Sequence, residues 1–167
     1  MASYDIGMEE TIAWIKDNVS QGGTALDVGA CDGKWSDWLR GYLKMDAIEI
    51  FVPYIINNKL DTKYENVFTG DISDFMYDHY DLIIFGDVIE HLTVERAQAV
   101  IEYAKKHCDN IVVAIPLLYS QEPYDGNEHE RHIQDDLTEA IFDERYPGFH
   151  EIVHPAWNYV YYYWKKE

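Results

Sequence analysis

Positive charge is scarce in this chain: 13 lysines and arginines face 31 aspartates and glutamates, a formal net charge of −18 at pH 7. A molecule so acidic repels a polyanion at long range, which speaks against nucleic acid as its substrate. Cysteine is almost missing. Cys31 and Cys108 lie in unrelated contexts and match no zinc or redox spacing, so reduced thiols and a cytoplasmic location are expected. No apolar run approaches the roughly 20 residues that a bilayer-spanning helix needs, and no signal-peptide core follows Met1, so no membrane association is expected. Repeats, linkers and low-complexity segments are also missing. The chain therefore reads as one domain, 1–167, long enough to bury a proper core. The dinucleotide fingerprint G-x-G-x-x-G is absent as well: starting from Gly29 it needs glycines at 31 and 34, where Cys31 and Lys34 stand, which disfavours a nicotinamide or flavin cofactor.

What is present centres on residues 24–33, Thr-Ala-Leu-Asp-Val-Gly-Ala-Cys-Asp-Gly. A short apolar run interrupted by Asp27 leads into Gly29 and Gly33, and Trp35, Trp38, Leu39 and Tyr42 then recur at helical spacing. Strand, glycine turn and helix in this order let a backbone approach a nucleotide-like ligand, because glycine has no side chain to obstruct it.

The rest of the chain repeats the alternation. Met8, Ile12, Ile15 and Val19 predict a helix over 8–19, and a helix over 34–43 follows the glycine turn. Residues 47–50 form a short strand with Glu49 near its end, and Pro53 starts a helix to about Leu60. Residues 65–69 read as a strand closing on Gly70-Asp71. Residues 80–86 are a nearly continuous apolar run, as in a strand buried on both faces, and end at Gly86-Asp87. Thr93 can cap a helix to about His107, and 110–115 is the next strand. Residues 117–132 show no period, as in a binding loop or lid. Asp135 can cap a helix over 136–144. Residues 150–154 and 158–164 then read as two strands joined around Pro155, with Tyr159, Tyr161 and Tyr163 on one face. Fourteen tyrosines and five tryptophans are read as filling the core and its rim. The alternation predicts an α/β fold with a mostly parallel, doubly wound sheet and a C-terminal antiparallel hairpin.

Leu26-Asp27-Val28-Gly29-Ala30-Cys31-Asp32-Gly33 resembles the first motif of class I S-adenosylmethionine (SAM)-dependent methyltransferases, with Cys31 in place of the middle glycine. Asp87-Val88-Ile89-Glu90-His91-Leu92 resembles the fourth motif of the small-molecule members. The resemblance implies a Rossmann-like sheet of seven strands in the order 3-2-1-4-5-7-6, and SAM as cofactor. It assigns Asp27, Gly29, Cys31 and Gly33 to the methionine part, Glu49 to the ribose hydroxyls, Asp71 to the adenine amine, and Gly86 and Asp87 to the same rim. The implied activity is methyl transfer to an oxygen or nitrogen of a small metabolite or sugar, by a monomer or homodimer. The alternative is a SAM-binding module without catalysis.

His91, His129 and His132 border the expected methyl position and are candidate proton acceptors. Related methyltransferases use an acidic-x-x-Glu-His motif to bind a metal, which makes Asp87, Glu90 and His91 candidate ligands of a divalent cation such as magnesium, with His132 a further candidate. The Asn/Asp-Pro-Pro-Tyr signature of amino-methylating DNA enzymes is absent; the corresponding turn reads Gly86-Asp87-Val88-Ile89.

Overall fold

A computed structural model describes residues 5–167; residues 1–4 of the expected 1–167 domain lie outside the described residues. β1 (Thr24–Val28) pairs in parallel with β2 (Lys44–Glu49) on one side and β4 (Tyr80–Gly86) on the other. β3 (Asn66–Thr69) extends the sheet beyond β2, and β5 (Cys108–Pro116) lies parallel to β4. β7 (Tyr159–Lys165) runs antiparallel to β5, and β6 (His150–Ala156) forms the edge beyond it. The order is β3-β2-β1-β4-β5-β7-β6, as the resemblance implies.

Strand alternation sorts the side chains into two layers. Leu26, Val28, Ile83, Phe85, Ile111, Val113, Val160 and Tyr162 pack with α4 (Val94–Lys106) and α5 (Glu139–Arg145). Ala25, Leu82, Ile84, Val112, Ala114, Tyr159 and Tyr161 pack on the other face with α1 (Met8–Asn18) and α2 (Lys34–Leu39). The short α3 (Val52–Asn57) follows β2. Leu82–Phe85 and Ile111–Ile115 are fully buried, which is why these stretches read as unbroken apolar runs.

The boundaries differ from expectation where local chemistry intervenes. α2 ends at Leu39, because Gly41 takes φ 85° and the chain turns there. α5 begins at Glu139, not after Asp135. Thr138 is the cap, its Oγ1 accepting from the Ile141 N–H at 3.2 Å, and the neighbouring Asp136 is held by Arg145. Pro155 lies inside β6, not between the strands. The β6–β7 register shifts between Val153 and Ala156, as suits a residue with no N–H to give to a ladder. Thr93 caps α4 as expected, accepting from the Arg96 N–H. Cys31 and Cys108 are not joined in a disulfide. No helix among the described residues is long and apolar enough to cross a membrane.

Candidate functional site

A cleft opens at the carboxyl ends of β1 to β4, beneath the loop that follows β5. Open α/β sheets bind ligands at this rim, where connections leave in opposite directions from neighbouring strands. The glycine turn forms one wall. Gly29 has φ 68°, and a Cβ there would lie 2.8 Å from Val88 Cγ2, so any side chain would displace the wall opposite. Cys31 also takes a left-handed conformation, φ 48°, with a side chain that makes it costly.

Glu49 ties this turn to β2. Its Oε2 accepts from the Cys31 N–H at 3.0 Å and its Oε1 from the Phe51 N–H at 2.8 Å. Burial raises the Glu49 carboxyl pKa, and the two N–H groups pull against that rise. Each oxygen keeps a further lone pair for a ligand hydroxyl. Asp71, after β3, accepts from the Ser73 N–H and from Arg96 Nη2. Against the penalty of partial burial, these bonds hold its carboxyl below the usual range. Asp87, just past β4, has φ 53° and accepts from the Tyr159 hydroxyl at 2.9 Å. Ile48, Ile72, Val88 and Leu92 supply apolar surface between the three carboxylates.

Gly29, Cys31, Glu49, Asp71, Asp87, His91 and His129 all line this cleft, whereas Asp27, Gly33, Gly86 and His132 do not. Alternation along β1 turns Asp27 toward the Ala25 face, away from the layer that holds Leu26 and Val28. There it is buried and accepts from the Tyr64 hydroxyl. Burial lifts its pKa to about 7, and Glu49 and Asp32 add to the rise. Gly33 precedes α2 against Lys63, and Gly86 pairs with Ala114 inside the sheet.

The histidines divide in the same way. His129 is exposed at the cleft mouth. His91 lines the wall, and burial together with nearby His132 pushes its pKa down to about 4, so the ring is neutral. His132 lies behind it, its pKa also lowered by burial. Between them sits Glu90, fully buried, its pKa raised by burial and by Asp87. The compact group is Glu90, His91 and His132; Asp87, expected among the metal ligands, is outside it.

Three cleft residues carried no sequence signal. The Tyr54 hydroxyl donates to Glu130 Oε1 at 2.8 Å, Gln121 Nε2 donates to Glu130 Oε2 at 3.0 Å, and Asn127 Oδ1 accepts from the His129 N–H. The Tyr54–Glu130 bond thereby ties the loop to α3, and Tyr54, Asn127 and Glu130 all line the cleft. A lone carboxylate in an aperiodic segment resembles any solvated one, so only the fold reveals it.

By sequence, no family model and no curated protein matches the chain. By structure, it is similar to an S-adenosylmethionine-dependent methyltransferase from Clostridium acetobutylicum, with TM-score 0.73 and 12% identity over 97% of this chain and 91% of that one. The magnesium protoporphyrin IX methyltransferase from Synechocystis, with S-adenosylhomocysteine (SAH) bound, aligns with TM-score 0.67 and 15% identity over 95% and 81%. The N-methyltransferase NodS from Bradyrhizobium japonicum aligns with TM-score 0.66 and 12% identity over 95% and 94%. With seven strands in this order and the cleft at this rim, the chain has the fold of the class I SAM-dependent methyltransferases.

Proposed function

We propose that the protein is a SAM-dependent methyltransferase acting on an oxygen or nitrogen of a small molecule. The observation that carries this reading is the pair of carboxylates, Glu49 and Asp71, at the ends of adjacent strands beside a glycine wall that no side chain obstructs. Glu49 has free lone pairs for two vicinal hydroxyls, and Asp71 has one for an exocyclic amine, which is the donor pattern of an adenosine. The solved structure of the Synechocystis neighbour carries SAH.

Bound SAM supplies an electrophilic methyl group on a sulfonium centre. The chain's own contribution is orientation and exclusion of water. Glu49 and the Cys31 N–H fix the nucleoside end, while Glu130 and Tyr54 close the loop over it. His129, exposed at the mouth, is the histidine placed to take a proton from the acceptor. His91, held neutral with its Nδ1 turned to the Arg131 carbonyl, lines the wall beside it.

Calorimetry with SAM and SAH tests the binding half. One site per chain is expected, with affinity lost in Glu49→Ala. A labelled-methyl assay across pools of small metabolites tests the transfer half. A chain that binds neither nucleoside at saturating concentration overturns the reading.

A further inference from the structure

We infer that Glu90, His91 and His132 form a binding site for one divalent transition-metal ion. The argument is independent of any methyl donor. Glu90 is fully buried, and neither of its carboxyl oxygens has a hydrogen-bond partner among the described residues. Two ring nitrogens face Oε1: His91 Nε2 and His132 Nε2, each at 3.9 Å. That separation is too long for a hydrogen bond.

The ring protons explain why no hydrogen bond fills the gap. His91 Nδ1 lies 3.0 Å from the Arg131 carbonyl oxygen, and His132 Nδ1 lies 2.7 Å from that of Tyr119. A carbonyl oxygen only accepts, so both protons sit on Nδ1 and both Nε2 atoms present lone pairs to the carboxylate. Two ring lone pairs and an unpartnered carboxyl thus converge in a buried space, with no hydrogen bond joining them among the described residues. One cation resolves this, and the spacing suits it: two ligands at about 2.1 Å from a shared ion stand at most about 4.2 Å apart. An Nδ1–H directed to a backbone carbonyl is also the usual way a metal-bound imidazole is oriented.

The donor set selects the ion. Two imidazoles and one carboxylate suit zinc, cobalt, iron or manganese, whereas magnesium prefers an all-oxygen shell. The site is built before any ion arrives. The backbone N–H groups of Ile133 and Gln134 both donate to the Glu90 carbonyl, at 2.8 and 3.0 Å, locking the loop of His132 onto the turn of His91. His91 also lines the cleft, so this cluster borders it.

Protein stripped with chelator and titrated with Co(II) gives the test, read by visible absorption and by calorimetry. One equivalent with nitrogen-ligand absorption bands is expected, along with a higher melting temperature. His132→Gln and Glu90→Gln, shown folded by circular dichroism, should each weaken Co(II) at least 10-fold. The less buried clusters at His79, Asp81 and Asp109 and at Glu139, Glu151 and His154 provide the contrast. Binding that survives both substitutions belongs to one of those and overturns the assignment, as does absence of binding. SAH calorimetry on the same samples reports the nucleoside cleft separately, so failure of one site is distinguishable from failure of the other.

Discussion

Asp27 is the residue where sequence and structure part most clearly. A carboxylate at the end of the first strand resembles a ligand contact, but Val28 and Gly29 reach the cleft while Asp27 is turned under Tyr64. The two-residue period of a strand held that information: Asp27 shares a face with Ala25, not with Leu26. Its pKa is raised from 3.8 to about 7, so the folded state holds the proton more tightly than the unfolded chain does. The stability linked to that proton is complete below about pH 4 and lost as pH rises through about 7. Asp27→Asn removes the titration and leaves only a pH-independent offset. Between about pH 4 and pH 8 the unfolding free energy of the wild type should therefore fall, relative to the variant, by on the order of 4 kcal/mol. Urea unfolding across that range measures the difference, and parallel curves would refute it. Glu49 gives the opposite case, a strand-end carboxylate that does face the cleft. Glu49→Gln leaves either the Cys31 or the Phe51 N–H opposite an amide N–H, so both the glycine wall and the ribose acceptor suffer. The expected outcome is at least 10-fold weaker SAH binding by calorimetry, with a stability loss of about 1–2 kcal/mol.

At the scale of elements, the strands and the longer helices were legible because burial imposes a period on them. The loop after β5 was not, because its order comes from single polar contacts. Gln134 is the clearest instance. It is buried, its Nε2 donates to the carbonyls of Ile89 and Leu92, and its Oε1 accepts from the Tyr146 hydroxyl and Arg145. One side chain thus joins the loop, the turn carrying Glu90 and His91, and α5. Nothing in the sequence near Gln134 distinguishes it from a solvated glutamine, since all four partners are remote in the chain or come from the backbone. Gln134→Ala leaves two buried carbonyls and a buried hydroxyl without this partner, each at a cost of about 1–3 kcal/mol. A loss of about 3 kcal/mol or more in urea unfolding is expected, with faster amide exchange in residues 88–92 and 131–134. A Tyr54→Phe change should act more locally. It removes the hydroxyl from Glu130 and should speed exchange in the 121–132 loop while leaving the sheet as protected as before.

The whole molecule adds what no local pattern contained: which strands are neighbours, and hence which carboxylates share a rim. β1 and β4 are neighbours although their paired residues, Ala25↔Leu82 to Val28↔Phe85, lie 57 positions apart in the chain, with β2 and β3 between them in sequence. That order converges Glu49, Asp71, Asp87 and Glu130 on one cleft in a chain of net charge −18. The summed field then distinguishes the two nucleosides of the proposed reaction. SAM carries a sulfonium, an ammonium and a carboxylate, a net charge of about +1, whereas SAH lacks the sulfonium charge and is about neutral. A cation is drawn to this surface and a neutral ligand is not. Raising ionic strength from about 0.01 M to about 1 M shortens the screening length from about 30 Å to about 3 Å, which removes most of that attraction. SAM affinity should fall several-fold over this range, mainly through slower association, while SAH affinity stays nearly constant. Stopped-flow binding of both ligands at the two ionic strengths makes the comparison. An equal salt response for both ligands would mean that the field of the acidic molecule does not guide the cofactor, and that recognition rests on the local contacts of the cleft.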